Sequence, residues 1–263
     1  MTGDSLLERP IRAIGRGWMT GAEHAGQMGL LLWGTATTAA RLRIPLRVFA
    51  NQLFVMGVQS IPIVVVTSVL SGIVTSQQGG YQITATVPLY VLGSVTAKSI
   101  ALELAPVLSA IVLVGRVGAR ITAELGTMVV SEQMDAYRSL GRDPLIVLGA
   151  PRILAGLVVM PLLVGIANIV GLISGMVCSQ IALGLSFETF LFGARLFWYS
   201  WDLFYSFLKS VAFGLAIPLI AIHMGLRAGG GAEGVGRITT ASVMFQTLTI
   251  LTVDAMFPAL FLD

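Results

Sequence analysis

Charge is scarce in this chain. Asp, Glu, Lys and Arg make up 11% of its 263 residues, and hydrophobic residues make up 56%. A soluble domain carries about 25% charged residues, so the deficit excludes that class and points to a polytopic membrane protein. The single cysteine, Cys178, excludes an intrachain disulfide and a cysteine-based metal cluster. The two histidines, His24 and His223, lie too far apart in sequence for a local zinc motif, and no H-E-x-x-H occurs. The G-x-x-x-x-G-K-[ST] phosphate loop is missing, and the glycine-rich run 229–236 does not supply it. Any energy drawn from ATP therefore has to enter through another subunit. No nucleophile paired with a base stands out. The N-terminal MTGDSLLERPIRAIGRGW has early acidic residues and no compact apolar run ahead of a small-residue cleavage site, so it is expected to be retained. A net charge of +3 would hint at nucleic acid in a soluble protein, but here the distribution of charge matters more than its sum.

Long apolar segments are abundant. They predict an all-α polytopic membrane protein of about five transmembrane helices, with spans near 49–76, 88–115, 145–181, 203–226 and 239–261. Ahead of them, residues 1–48 hold Arg9, Arg12, Arg16, Arg41, Arg43 and Arg47 around a short apolar patch, 28–33. That patch cannot cross a core of about 30 Å. It fits an amphipathic helix in the cytosolic interface, with Trp18 and Trp33 at the boundary; the alternative is a solvated tail. Pro62 is expected to kink the first span, and 77–86 to form a polar connection containing Tyr81. Asp143-Pro144 predicts a capped start to the third span, which Pro151 and Pro161 would divide. Gly171-x-x-x-Gly175 is a helix-packing pattern that also arises by chance in apolar helices. Aromatic residues crowd 184–202, as in an interfacial belt, and Thr239 or Thr240 would cap the fifth span. With the N-terminus cytosolic, all basic residues except Lys98, Arg195 and Lys209 fall inside.

The apolar pattern is interrupted by charge in ELAPVLSAIVLVGRVGARITAELGTMVVSEQMDAYRSLGRDPLIVLGAPR, residues 103–152. Glu103 should lie roughly 18 Å from the cytosolic end of the second span, at 1.5 Å per residue. A carboxylate at that depth needs a cavity, a partner or a proton, so it is either part of a substrate path or a structural bond. Pro106 has no N–H and displaces the Leu102 carbonyl, which makes the same turn polar. Lys98 and Lys209 are the nearest far-side cations. Each could snorkel to the headgroups, compensate Glu103, or meet a lipid phosphate. Further on, Val130, Met134 and Tyr137 share one helical face while Glu132, Asp135 and Arg138 occupy others, and Gly141 is a plausible stop. Its mixed charge favours a short cytosolic helix that docks on a partner over one that lies on the membrane.

These motifs resemble those of the MlaE/YrbE-type permeases, membrane subunits of ABC transporters that act with MCE-domain proteins in lipid trafficking. The resemblance runs from about residue 50 onward. It rests on E-L-x-P, G-R-x-G, A-E-L-G-x-M, E-Q-M-D-A and D-P…P-R in the charged stretch, then on LKSVAFG (208–214) and GAEGVGRITT (231–240). It implies a homodimer in the bacterial inner membrane, cytosolic ABC ATPase subunits that bind the ATP and Mg, and an MCE-domain protein on the far side. It also implies membrane lipids as substrate, with no cofactor or metal in this chain and no nucleic-acid partner. By similarity, 116–143 is the coupling segment, with Val130, Glu132, Met134, Asp135, Tyr137 and Arg138 toward the ATPase. Glu103, Lys209, Tyr81, Lys98 and Pro106 would lie along the lipid pathway. One departure stands out: many members have Arg-Glu-Leu-Gly-Pro where this chain has Leu102-Glu103-Leu104-Ala105-Pro106. Glu103 thus lacks its neighbouring cation. An ion-coupled secondary transporter using Glu103 and an intramembrane lipid-modifying enzyme are the competing readings.

Overall fold

The computed structural model describes residues 8–40, 46–83 and 87–261, and the regular structure among them is helical. Five segments are long and apolar enough to cross a membrane: Leu46–Gln82, Val91–Val130, Val147–Leu183, Ser200–Gly225 and Gly231–Phe261. The chain is a multi-pass membrane protein with an N-terminal helix, α1 (Glu8–Ala40), ahead of the first crossing. Arg41 and Arg43 lie outside the described residues.

The first crossing is broken. Helix α2 (Leu46–Met56) ends, a single tight turn follows at Val58–Ser60, and α3 (Ile61–Gln82) restarts. Pro62 therefore sits in the first turn of α3 and does not kink a continuous span, because a helix start has no use for the missing N–H. Ser60 holds the break, donating to the Met56 carbonyl at 2.6 Å and accepting from Arg116 Nη1 at 2.7 Å. Residues 77–82, expected to be a connection, continue α3 as helix.

The second crossing is one rod from Val91 to Val130, with two wider π turns inserted. Its parts are α4 (Val91–Ser99), a π turn at Ile100–Leu104, α5 (Ala105–Leu113), a π turn at Val114–Gly118, and α6 (Ala119–Val130). Helical structure runs on past Arg116 and Arg120. At about 1.5 Å per residue its 40 residues reach roughly twice the thickness of a hydrocarbon core, so α6 carries the rod out of it. Glu132, with φ 58°, ends the rod, and α7 (Gln133–Ser139) leaves in a new direction.

Helical structure resumes at Pro144 and passes through a π turn at Leu145–Gly149 into α8 (Ala150–Leu183). Pro151 falls in the first turn of α8 and Pro161 inside it, and neither divides it. Short α9 (Phe187–Leu196) is capped by Ser186, whose Oγ accepts from the Thr189 N–H at 3.3 Å. Helix α10 (Ser200–Gly225) is followed by α11 (Gly231–Phe261). Thr239 and Thr240 are interior to α11, not caps. Their hydroxyls bond back to the Val235 and Gly236 carbonyls at 2.7 and 3.2 Å.

Helix α8 is the hub, packed by α2, α3 and α10. Small residues permit this. A Cβ on Gly72 of α3 would collide with the Gly171 carbonyl, and one on Gly175 would lie 3.2 Å from the Gly72 carbonyl. The Gly171/Gly175 pattern is thus a true contact face. Gly156 of α8 meets the Gly214 carbonyl of α10 in the same way. Helix α1 packs on α8, on the turn before it and on α10, burying Leu31, Thr35 and Thr38 and exposing Leu30 and Trp33.

Candidate functional site

Pro106 cannot offer an N–H to the Leu102 carbonyl, and the π turn at Ile100–Leu104 widens the helix at the same place. The freed carbonyl finds a donor on another helix: Lys209 Nζ of α10, at 3.0 Å. Lys209 also meets Glu103 Oε2 at 2.7 Å and Asp254 Oδ1 of α11 at 2.5 Å. Its ammonium thus donates two hydrogen bonds and is paired with two carboxylates. Lys209 is fully buried, whereas the Glu103 side chain is 43% exposed. A charge can be kept in so dry a place only when paired and hydrogen-bonded, and this geometry provides both. The Tyr205 ring lies 5.4 Å from the same Nζ.

Glu103 opens on a groove of about 770 Å³ between α3 and the α4–α5 rod. Leu70, Val74, Leu104 and Leu108 supply apolar wall, and Ser71, Thr75 and Gln78 add neutral polar groups. Among the described residues, the buried Ser71 hydroxyl has no hydrogen-bond partner. Glu103 is the one charged residue on this lining.

The structure divides the other pathway candidates. Lys98 does not reach Glu103; it lies 3.6 Å from Asp202 Oδ2 and 4.7 Å from the centre of the Tyr199 ring. Pro106 is buried behind the groove wall, and Tyr81 is 92% exposed at the end of α3. Neither is on the lining. Asp254 is the member that sequence reasoning missed, although a carboxylate in the fifth apolar span was signal enough to find it.

The α7 residues are also redistributed. Met134 is buried in the main core, Tyr137 is half-buried, and Val130 is exposed at the end of α6. Val130, Met134 and Tyr137 are thus not brought onto one exposed face: α7 starts from the left-handed residue Glu132, and the Met134 side chain packs into the core. Glu132, Asp135 and Arg138 face outward with Leu140, which is 75% exposed, and Asp135 pairs with Arg138 at 3.0 Å. Below α7, Arg152 is buried and binds Glu124 Oε1 at 2.8 Å and the Leu148 carbonyl at 2.9 Å. His24 and His223, 199 residues apart, meet at 2.6 Å where α1 crosses α10, and Arg227 lies 2.9 Å from His24 Nε2. Among the described residues, no group of three His, Cys, Asp or Glu is placed to hold a metal ion.

The profile of the family described as Permease MlaE matches residues 49–260. The chain belongs to the MlaE permease family. It is 31% identical over 256 residues to a probable ABC transporter permease protein of Rickettsia felis, covering 97% of this chain and 99% of that one. It is 36% identical over 208 residues to a probable ABC transporter permease protein of Synechocystis sp., covering 79% of each. It is 29% identical over 252 residues to the intermembrane phospholipid transport system permease protein MlaE of Haemophilus influenzae, covering 95% and 96%. Glu103, which has Leu102 where many members have arginine, pairs across space with Lys209 of the LKSVAFG element. The A-E-L-G and P-R elements likewise meet through Glu124 and Arg152.

Proposed function

We propose that this MlaE-family permease is the membrane subunit of an ATP-driven ABC transporter that moves phospholipids or related lipids. In this reading two copies form the membrane core of a bacterial inner membrane complex. Separate cytosolic ATPase subunits bind ATP and Mg, and an MCE-domain protein receives or delivers lipid on the far side. The N-terminus is cytosolic, with residues 1–48 forming the interfacial segment and 49–263 the permease domain. The observation that carries the proposal is the groove of about 770 Å³ between α3 and the α4–α5 rod, with Leu70, Val74, Leu104 and Leu108 as apolar wall and Glu103 as its one charge. Lys209 holds Glu103 in place and is itself paired with Asp254. The rod that bears Glu103 continues through α6 to α7, so movement of an ATPase against α7 has a rigid route to the groove.

Family membership and the lack of a phosphate loop make the chain a transporter subunit whose ATP hydrolysis resides elsewhere. The test is reconstitution. The purified permease is expected to hydrolyse no ATP alone, and with its ATPase to drive ATP-dependent lipid transfer between proteoliposomes and the MCE-domain protein. Transfer that proceeds equally with a hydrolysis-dead ATPase would overturn the reading.

A further inference from the structure

We infer that the groove selects lipids whose headgroup carries an ammonium, and disfavours net-anionic headgroups. This rests on the lipid-transport reading and names its substrate class. The cation nearest the groove is not available to a ligand. Lys209 is fully buried, hydrogen-bonded to Leu102 and Glu103 and ion-paired with Asp254. Lys98 is off the lining and turned to Asp202 and Tyr199. What the groove presents is the half-open carboxylate of Glu103, one of two carboxylates around a single ammonium. A headgroup phosphate arriving without an amine meets that carboxylate and no exposed cation.

A zwitterionic aminophospholipid fits differently. Its ammonium can donate to Glu103, whose other bond, to Lys209, uses Oε2. Its phosphate can accept from a neutral donor on α3, the exposed Gln78 amide. Leu70, Val74, Leu104 and Leu108 are left for the acyl chains. A charge-assisted hydrogen bond of this kind is worth roughly tenfold in affinity.

The test uses the assembled permease–ATPase complex, exposed to vesicles of equal phosphatidylethanolamine and phosphatidylglycerol and then examined by native mass spectrometry. The wild type is expected to retain phosphatidylethanolamine about tenfold over phosphatidylglycerol. Glu103→Gln should bring the ratio near one, and it stays folded because Asp254 and the Leu102 carbonyl still hold Lys209. Water-soluble glycerophosphoethanolamine should not displace the lipid; if it competes at equal concentration, the ligand is a free amine and the lipid assignment fails. Equal or reversed retention by the wild type, or an unchanged preference in Glu103→Gln, overturns the inference. Loss of ATP-driven transfer with the preference intact counts against the transport reading alone, and transfer without preference counts against this inference alone.

Discussion

Lys209 is the residue on which the site depends, because it is a buried cation with two anionic partners on different helices. Either partner alone still pairs it, so Glu103→Gln and Asp254→Asn are each expected to cost little stability. The double variant leaves an unpaired charge in a dry interior, for which about 3–5 kcal/mol is the usual loss. Adding Lys209→Met to that double variant should restore most of it, since the charge goes with its partners. Thermal unfolding of the purified complex measures all four. Additive single effects with no rescue by Met would show that the three residues do not act as a unit. The sequence made Glu103 and Lys209 candidates through their cost in a membrane, but it could not pair them. Their partnership spans 106 residues and depends on Pro106 freeing a carbonyl.

At the level of elements, the helices meet where glycine lets backbones touch. Gly72→Ala is expected to destabilise by about 1–3 kcal/mol, because its Cβ would strike the Gly171 carbonyl, which cannot move without shifting α8. Gly165→Ala, on α8 with open space around its Cβ, should be neutral or slightly stabilising through helix propensity. Melting temperatures of the two variants in the same detergent decide this, and equal shifts would refute the packing account. Existence and order of the apolar segments were legible because hydrophobic length is a local property. The helix ends were less so. Pro62 starts a helix where a kink is expected, and Thr239 and residues 77–82 carry cap or turn chemistry yet lie inside helices.

For the whole molecule, the proposed route from an ATPase at α7 to the groove follows the one rod that bears Glu103. Leu140→Asp combined with Arg138→Glu, exposed residues at the end of α7 and just after it, is expected to weaken ATPase binding about thirtyfold or more, the effect of losing about 2 kcal/mol at an interface anchor. The permease should stay folded. Met134→Asp should instead lower its melting temperature, since that side chain is core. Pull-down of the ATPase by each variant, alongside unfolding, separates the two. Retention of the ATPase by the double variant would place the coupling contact elsewhere.

The sequence by itself determined the class of molecule, the apolar segments, the charged stretch in their midst and the family. Each depends on composition, or on motifs contiguous in the chain. Only the tertiary structure decided which polar side chains meet: Lys209 with Glu103 and Asp254, Lys98 with Asp202, Arg152 with Glu124, and His24 with His223. It also decided that Met134 is core and Leu140 surface, because one left-handed residue, Glu132, sets the direction of α7. The physical reason is common to all of these. A buried charge is tolerated only where packing brings its partner, and packing between distant helices is written in backbone approach and helix direction, which no local pattern of residue types specifies.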